Sequence, residues 1–389
     1  MANDPWVIVS GGFHQRGGMD RANAALAAHL LGAGAPVHLV GHEIDETLSA
    51  HPLATAHVVA RPAGLPELAE RLLSRAGSRV ARHVTAQTPR ARVVVNGGNC
   101  PWPDINWVHA VHAAWPVRDD GSPWWVRHRN RRLKSAARLR ERAALLEAGV
   151  IIANSDATSR AVIGHIGVAP QRVRTVYLGC DPAWGPVDPA ERARARATLE
   201  LPDAAPVVLF VGALGSDVNK GFDVLWEAWR LLAASGPWDA SLLVAGGGWR
   251  LGRLRAQVEA AGLTSSVRFL GVTPAVRELL AAGDLLVSPV RYEAYGLNVH
   301  EALCRGLAVM VTETAGIAER FDHGIAEALL PDGIAARALA DRLRAWRRDM
   351  SGWQMRASGT AARLRARTWS DMAVELIDVA QRPERRIPA

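Results

Sequence analysis

The sequence predicts an α/β protein of two domains, each built on a parallel sheet with helices on both faces. Three observations support this fold class. The chain has 389 residues, more than a single hydrophobic core usually serves. Short apolar runs alternate with longer helical patterns, which is the rhythm of βαβ units. The alternation stops at 179–189, a segment rich in proline and glycine, and then resumes.

The composition is that of a folded globular protein with an anionic partner. Hydrophobic residues make up 49% and charged residues 22% of the chain, which excludes a disordered or collagen-like protein. The net charge of +8 favours a nucleotide, a membrane surface or a nucleic acid as partner, without choosing among them. Lys134 and Lys220 are the only lysines. In a chain where almost every basic residue is arginine, a lysine indicates a position that requires a compact ammonium group and not a planar guanidinium.

Cysteine content and the N-terminus favour the cytoplasm. Cys100, Cys180 and Cys304 are too few and too scattered for a disulfide framework or a clustered zinc site. No basic stretch precedes an apolar core at the N-terminus, so we expect no signal peptide. The apolar stretch 24–41 is interrupted by glycines, histidines and a proline, so we also expect no membrane span.

The elements follow in order along the chain. In the first half we predict strands at 6–10, 37–40, 92–96, 105–111, 150–153 and 173–178, and helices at 19–31 and 124–147. In the second half we predict strands at 207–211, 241–245, 267–270, 284–288 and 308–312, helices at 222–233, 250–261 and 297–304, and a tail helix at 361–381. The predicted domains are 1–182, 183–365 and a C-terminal helix, 366–389, that packs back on the first domain. Since ligands bind beyond the carboxyl ends of parallel strands, two facing sheets would share one cleft.

The most informative passage, 288–316, carries two glutamates eight residues apart. Glu293 lies in a predicted strand-to-helix turn relaxed by Gly296, and Glu301 lies about two turns into the helix. Free backbone N–H groups at the helix start suit an anion. Together these features would hold a diphosphate on amides, with one carboxylate at a ribose and the other facing a sugar. The alternative is a solvated helix with two surface glutamates, which the strand, turn and helix context disfavours.

This passage resembles the E-x7-E segment of the retaining glycosyltransferases of family 4, whose GT-B fold has two Rossmann-like domains facing each other across a cleft. The resemblance extends along nearly the whole chain. It implies that Glu293 contacts the donor sugar near its hydroxyls and that Glu301 binds the ribose of the nucleotide. It further implies donor contacts from the turn and helix start, at Tyr295, Gly296, Leu297 and Asn298.

Lys220 follows a strand end and a glycine-bearing loop that includes Gly212. Its ammonium group can meet a pyrophosphate as a point charge; the alternative is an exposed lysine at a helix start. The segment is similar to the one in which the family clamps the donor diphosphate with an arginine and a lysine. Ala213 or Asn219 stands where that arginine is often found, which shifts the expected phosphate contacts to Lys220 and backbone amides.

Two further segments are assigned to the donor. Gly17 and Gly18 follow the first strand and open the first long helix, as a phosphate-cradling loop or a plain turn would. The family has a similar loop over the donor phosphates, which assigns Gly18 to the donor. The strand 267–271 resembles the one whose end contacts the nucleobase through its backbone, here at Phe269 and Gly271. The chain has no D-x-D motif, so we expect metal-independent transfer and no cofactor.

His109 and His112 come near the end of the predicted strand 105–111. If both remained in the strand, their odd spacing would place them on opposite faces, so they are poor joint metal ligands. His112 matches the histidine that the family places beside the donor sugar. The resemblance therefore makes His112 a catalytic residue together with Glu293 and Lys220, and leaves His109 with a structural or acceptor-side role.

Basic and aromatic side chains around the helix 124–147 form the predicted acceptor side. A basic stripe of helical spacing comprises Arg127, Arg131, Lys134, Arg138 and Arg142. Such a stripe either docks on anionic lipid at the inner face of the membrane or is a solvated face. Indole rings suit sugars or the hydrophobic core, and they cluster here at Trp102, Trp107, Trp115, Trp124 and Trp125. We assign Trp115, Arg127 and Arg131 to the acceptor.

The predicted function is a retaining, metal-independent transfer of a hexosyl group from a UDP- or GDP-linked sugar. The expected acceptor is a hydroxyl of a glycan, a lipid-linked sugar or a small molecule, and no nucleic-acid partner is expected. An epimerase of nucleotide sugars or a phosphorylase would keep the same fold. A basic protein that binds nucleic acid or membrane is the alternative from another class. A dehydrogenase is disfavoured because neither half has the dinucleotide-binding glycine pattern after its first strand.

Overall fold

The computed structural model describes residues 4–116, 122–202, 204–215 and 217–381. These residues form two compact units. Unit 1 contains the described residues of Met1–Trp115, Trp125–Gly179 and Thr368–Ala389, and unit 2 contains those of Pro116–Trp124 and Cys180–Arg367. The chain thus changes unit after Trp115, Trp124, Gly179 and Arg367; the predicted domain boundaries are 182 and 365.

Unit 1 is built on a parallel sheet. Its strands are β1 (Trp6–Val9), β2 (Gly12–Phe13), β3 (Val37–Gly41), β4 (Glu43–Ile44), β5 (Ala54–Val58), β6 (Arg92–Val95), β7 (Ile105–Val108), β8 (Val150–Ala153) and β9 (Val173–Thr175). Within the described residues the main sheet has the order β5-β3-β1-β6-β7-β8-β9, and β2 pairs with β4 in a separate ribbon. β1, β6 and β7 consist almost entirely of buried apolar residues, as strands covered on both faces must.

The helices of unit 1 cover this sheet. They are α1 (Gly18–Gly32), α2 (Glu46–Ser49), α3 (Pro66–Gln87), α4 (Trp124–Glu147), α5 (Asp156–Ala161) and, from the far end of the chain, α13 (Trp369–Gln381). α3 packs on β1 and β3, and α13 packs on α1. No element is predicted between 41 and 91, where the structure has β4, α2, β5 and α3.

Unit 2 repeats the architecture. Its strands are β10 (Val207–Val211), β11 (Ser241–Ala245), β12 (Val267–Gly271), β13 (Leu285–Ser288), β14 (Ala308–Thr312) and β15 (Leu329–Leu330). Its helices are α6 (Pro189–Thr198), α7 (Phe222–Ala234), α8 (Leu251–Ala260), α9 (Val276–Ala282), α10 (Leu297–Cys304), α11 (Ala336–Arg348) and α12 (Met350–Ala366). In the described residues the parallel sheet has the order β12-β11-β10-β13-β14-β15.

Three predicted elements end elsewhere in the structure. The predicted strand 105–111 stops at Val108, and the predicted strand 173–178 stops at Thr175. The single tail helix is wrong, because α12 and α13 are separate helices. Asp371 accepts hydrogen bonds from the backbone and the hydroxyl of Thr368, a local cap that starts a new helix. Among the helices of the described chain, none has both the length and the apolar character to cross a bilayer.

A buried arginine joins α6 to the end of α9 and to the segment before β10. Arg196 is 1% exposed, and its guanidinium donates to the carbonyls of Ala282, Pro202 and Ala205. We predict that Arg196→Leu lowers the free energy of unfolding by about 2–4 kcal/mol, because these carbonyls lose their donors in the core. Urea denaturation measures this loss. The exposed neighbour Arg194 is the control, and Arg194→Leu should change stability by about 0.5 kcal/mol or less.

Candidate functional site

The order of strands in unit 2 defines where a ligand can bind. β10 lies between β11 and β13, and the chain runs to β11 on one side of β10 and later to β13 on the other side. The loops that follow β10 and β13 therefore both begin at the switch point of the sheet, beyond its carboxyl edge, where sheets of this kind have a ligand-binding crevice. These two loops are the segments 212–221 and 289–296, in which the sequence places its donor-binding residues.

Lys220 and Glu293 form an ion pair between these loops. The Lys220 ammonium nitrogen contacts Oε2 of Glu293, and the side chains are 32% and 18% exposed, respectively. Two residues predicted from separate segments are thus brought together at the switch point of the sheet. Their partial exposure leaves both charges within reach of a ligand.

A set of polar contacts fixes the backbone on each side of this ion pair. The Arg291 backbone N–H donates to the Asn219 carbonyl at 2.8 Å, and the Asn219 amide donates to the Tyr292 carbonyl at 2.7 Å. The Arg291 guanidinium makes a two-point contact with the Asp223 carboxylate, at 2.8 and 2.6 Å. The sequence analysis missed Arg291 and Asp223, because nothing marks one arginine among many as a bidentate partner.

Two glycines allow the loop backbones to approach each other. Gly221 has φ +73°, and a Cβ there would overlap the Pro289 carbonyl oxygen. Gly246 has φ +144°, and a Cβ there would overlap the carbonyl of Gly212. Both positions therefore require glycine. The predicted site residue Gly212 lies where the ends of β10 and β11 are in closest contact.

The helix α10 begins at the same crevice. Gly296, with φ +105°, precedes it, and Leu297 and Asn298 open it, so their backbone N–H groups have no intrahelical acceptor. The Asn298 amide donates to the Val211 carbonyl at 3.0 Å and ties α10 to the end of β10. Glu301 is the fifth residue of α10, so it lies just over one turn into the helix and not two, and it is 6% exposed.

Other predicted donor contacts are less accessible. Tyr295 is 3% exposed, and its hydroxyl forms a 2.8 Å hydrogen bond with Nδ1 of His300. Phe269 packs edge-on against Phe222, with ring centroids 5.7 Å apart, and the carbonyl of Gly271 accepts from Gly246 at 2.7 Å. Their contacts with a donor stay predictions.

In unit 1, His112 is held by a buried carboxylate that the sequence analysis missed. The His112 backbone N–H donates to Glu141 Oε2 at 2.8 Å, and its ring Nδ1 lies 2.9 Å from Oε1. The Glu141 side chain is 1% exposed, whereas that of His112 is 41% exposed. Glu141 lies 29 residues further along, on α4, and no local pattern connects the two. The imidazole is thus oriented by a buried partner while part of it faces outward.

His109 has a different environment. Both histidines lie beyond Val108, where β7 ends, so the alternation of strand faces does not apply to them. The His109 ring packs on that of Trp107, with centroids 4.4 Å apart. Its Nε2 is buried without a hydrogen-bond partner among the described residues, and this burial lowers the pKa of His109 to about 3. The His109 ring is therefore neutral, and it packs on Trp107 of the core.

A pocket of about 350 Å³ opens beside His112. Trp115, Lys134 and Arg140 contribute to its walls, and the Lys134 ammonium lies 5.3 Å from the centroid of the Trp115 ring, within the range of cation–π attraction. Carboxylates and an amide also line it, at Glu67, Glu70 and Asn99. The pocket thus offers cationic, anionic and aromatic groups within unit 1.

The predicted basic stripe on α4 is only partly a solvated face. Arg138 donates to the carbonyls of His112 and Trp115, at 2.9 and 3.0 Å. Arg142 donates to the Ile166 carbonyl at 2.6 Å. Arg127 is half-buried and Arg131 is exposed. Membrane contact through this helix stays a prediction.

The remaining predicted residues are placed as follows. Trp107 belongs to the core of unit 1, whereas Trp124 and Trp125 are 73% and 51% exposed. Gly18 begins α1, directly after Gly17 with φ +83°, beyond the carboxyl end of β1. β1 lies between β3 and β6, so this loop occupies the switch point of unit 1.

Two of the cysteines lie close together despite their wide spacing in the sequence. Cys180 and Cys304 are separated by 124 residues in sequence, yet their sulfurs lie 3.2 Å apart. Sequence spacing could not show this, because the contact depends on how the segment at Cys180 packs on α10.

The buried state of His109 has a consequence for acid stability. The pKa of His109 is lowered from 6.5 to about 3 in the folded protein. Between these two values the unfolded chain binds a proton at this residue and the folded chain does not. The contribution of neutral His109 to the free energy of unfolding is therefore fully present above pH 6.5. It is lost at about 1.4 kcal/mol per pH unit as the pH falls toward 3. When the pH is lowered from 6.5 to 5, we expect the free energy of unfolding to fall by about 2 kcal/mol less in His109→Leu than in wild type. Urea melts measure this difference. His165→Leu, at an exposed position, should keep the wild-type slope; equal slopes in all three proteins would contradict the assignment.

The close approach at Gly221 gives a second prediction. Gly221→Ala should lower the free energy of unfolding by about 2–5 kcal/mol, from left-handed strain and the overlap with Pro289. Denaturant melts measure the effect. Gly252, near the start of α8, has open space around it, so Gly252→Ala should be neutral or stabilising by up to about 1 kcal/mol. A Gly221→Ala protein as stable as wild type would show that the loops are further apart.

Models of known protein families match residues in both units. The family model described as Glycosyltransferase Family 4 covers residues 16–184, and that described as Glycosyl transferases group 1 covers residues 205–349. A D-inositol 3-phosphate glycosyltransferase of Nocardioides sp. is 29% identical over 299 residues, which are 72% of this chain and 63% of that relative. The chain therefore matches less than two thirds of that relative's length.

Solved structures share the fold at lower identity. WaaG, a glycosyltransferase involved in lipopolysaccharide biosynthesis, has a TM-score of 0.74 and 20% identity, over 97% of this chain and 99% of that chain. HepE of Anabaena in complex with UDP-glucose has a TM-score of 0.66 and 20% identity, over 97% of this chain and 98% of that chain. The chain therefore belongs to the family 4 glycosyltransferases and has the two Rossmann-like halves of the GT-B fold.

Proposed function

We propose that this protein transfers a hexosyl group from a UDP- or GDP-linked sugar to an acceptor hydroxyl, with retention of anomeric configuration and without a metal ion. The observation that carries the proposal is the Lys220–Glu293 ion pair at the crevice of unit 2. It places one cation and one carboxylate beside the N-terminus of α10. The cation suits the diphosphate end of a nucleotide sugar, and the carboxylate suits the hydroxyls of the sugar end.

Lys220 and the start of α10 would bind the diphosphate. The Lys220 ammonium supplies one positive charge, and the backbone N–H groups of Leu297 and Asn298 supply donors at the positive end of the helix dipole. Such preorganised groups stabilise the negative charge that develops on a departing diphosphate. This arrangement would take the place of a divalent cation.

Glu293 would position the sugar. Its carboxylate is paired with Lys220, so it is already held at the crevice. When the diphosphate attracts the lysine, the carboxylate can accept hydrogen bonds from sugar hydroxyls. The acceptor oxygen then attacks the anomeric carbon on the face that the diphosphate leaves. The bond to the diphosphate breaks, and a β-phosphate oxygen takes the acceptor proton, which accounts for retention without a protein nucleophile.

His112 would bind a sugar hydroxyl in unit 1. When Nδ1 carries the proton shared with Glu141, Nε2 of the neutral ring is an acceptor. The exposed part of the imidazole can therefore receive a sugar hydroxyl. The neighbouring pocket would hold the acceptor, with Lys134 and Arg140 as cations and Trp115 as an aromatic wall.

The chemistry of that pocket supports a phosphorylated polyol as the acceptor. A phosphorylated polyol would meet cations through its phosphate and carboxylates through its hydroxyls. The relative from Nocardioides sp. is a D-inositol 3-phosphate glycosyltransferase, so D-inositol 3-phosphate is the first acceptor to test. Other phosphorylated sugars and lipid-linked glycans are the second group.

The donor must be identified before the variants are measured. Thermal unfolding with UDP-, GDP- and ADP-sugars identifies it, since a ligand of the folded state raises the apparent stability. The identified donor is then incubated without acceptor. Epimerised nucleotide sugar in that reaction would favour the epimerase alternative over transfer.

We predict that Lys220→Ala and Glu293→Ala each reduce acceptor-dependent release of nucleoside diphosphate by about 10²–10³-fold, because each removes a group aimed at developing charge or at the sugar. The matched control is the exposed ion pair of Glu227 and Arg230 on α7, 2.9 Å apart. Glu227→Ala and Arg230→Ala should keep wild-type rates. Rates close to wild type in both site variants, with thermal unfolding unchanged, would refute the site.

A further inference from the structure

A buried cluster of two thiols and an imidazole lies in unit 2, outside the proposed donor contacts. His300 and Cys304 are four residues apart on α10 and therefore share a helix face, and Cys180 is the first residue of unit 2 after Gly179. One ligand atom from each of the three lies within 4.8 Å of the others. The residues are 5%, 1% and 0% exposed in the order Cys180, His300, Cys304.

The imidazole of His300 is oriented from one side only. Its Nδ1 forms the hydrogen bond with the Tyr295 hydroxyl. Its Nε2 is buried and has no well-formed hydrogen bond within the described part of the chain. Leaving a buried ring nitrogen unpartnered is unfavourable. The arrangement matches that of metal-binding histidines, in which one nitrogen is held by a neighbouring polar group and the other faces the ion.

The two thiols are arranged to supply sulfur ligands. Cys180 Sγ and Cys304 Sγ are 3.2 Å apart. The Cys180 thiol donates to the Cys304 sulfur, so the two sulfurs face each other inside the cluster. Once deprotonated, two sulfurs so placed can bind the same metal ion.

Two sulfurs this close can either bind one metal ion or form a disulfide, and the distance between them distinguishes the two. Two thiolates on a tetrahedral Zn²⁺ at about 2.3 Å lie about 3.8 Å apart, so the observed separation needs to open by about 0.6 Å. A disulfide requires about 2.05 Å, so the sulfurs would need to close by more than 1 Å. A disulfide would also leave Nε2 of His300 without a partner, whereas a cation would satisfy all three groups.

We propose that Cys180, His300 and Cys304 bind a thiophilic divalent cation of the zinc class through two thiolates and one imidazole nitrogen. On binding, any proton remaining on the two sulfurs is released to solvent. Water or another small ligand takes the fourth position. The cation joins the segment at Cys180 to α10, the helix that begins beside the Lys220–Glu293 pair. Binding is independent of the proposed transferase reaction.

The test uses the full chain, stripped of metal with a chelator and kept reduced. Zn²⁺ is titrated against a chromophoric chelator, and Co²⁺ serves as the spectroscopic probe. We expect one tightly bound equivalent of Zn²⁺ and, with Co²⁺, thiolate-to-metal charge-transfer absorption together with the intense visible bands of tetrahedral coordination. The Co²⁺ spectrum of the wild-type protein tests the site without any substitution.

Variants then assign the ligands. Cys180→Ser and Cys304→Ser should each weaken Zn²⁺ binding at least about 100-fold and remove part of the charge-transfer absorption. Tyr295→Phe should weaken binding by about 10–100-fold, because the imidazole loses its orienting partner. Cys100 is buried in unit 1, so Cys100→Ser is the matched control and should bind like wild type. Thermal unfolding of the metal-free variants shows whether each is folded.

Three results would overturn the proposal. The first is the absence of a thiolate-to-Co²⁺ band in the reduced wild-type protein. The second is unchanged Zn²⁺ affinity in both serine variants. The third is a Cys180–Cys304 disulfide, found by peptide mapping of protein isolated without reductant, in a chain that binds no Zn²⁺ after reduction. None of these measurements uses a nucleotide sugar, so failure here is distinguishable from failure of the proposed transfer.

Discussion

In unit 2 the chain leaves β10 toward β11 and later returns to pair β13 on the other side of β10. The loops after β10 and β13 therefore both start at the switch point of the sheet, and the rest of the candidate site depends on this strand order. Gly212 and Lys220 come from the first loop, and Glu293 comes from the second. α10 starts where the second loop ends, so its N-terminus faces the same crevice. Unit 1 repeats the arrangement, with the loop before Gly18 at the switch point beside β1.

Several arginines bind groups of the protein itself. Arg196 and Arg305 are almost fully buried, and both bind backbone carbonyls within unit 2. Arg291 and Arg138 fix loops beside the proposed donor and acceptor groups. A planar guanidinium with several donors suits this use, whereas an ammonium group is a compact charge. Lys220 accordingly keeps a single carboxylate partner at the edge of the crevice.

Three histidines show how environment decides chemistry. His109 is packed on Trp107 and stays neutral. His112 is three residues away, yet a buried carboxylate holds one of its nitrogens and part of its ring is exposed. His300 is enclosed by Tyr295 and two cysteines. The residue type alone is compatible with a core, catalytic or metal-binding role, and the neighbouring side chains select one of them.

The sequence by itself determined the elements that depend on local pattern and the residue types of the candidate donor site. The bounds of α4, α10, β10, β11 and β14 match the prediction, because helical periodicity, apolar runs and the glycine before α10 act within a few residues. It could not place the end of β7 or the break between α12 and α13, which depend on tertiary packing and a single cap. The pairs Lys220–Glu293, His112–Glu141 and Cys180–Cys304, separated by 73, 29 and 124 residues, were decided by the tertiary structure alone. Such contacts depend on strand order and on how helices pack on the sheets, which no local pattern encodes.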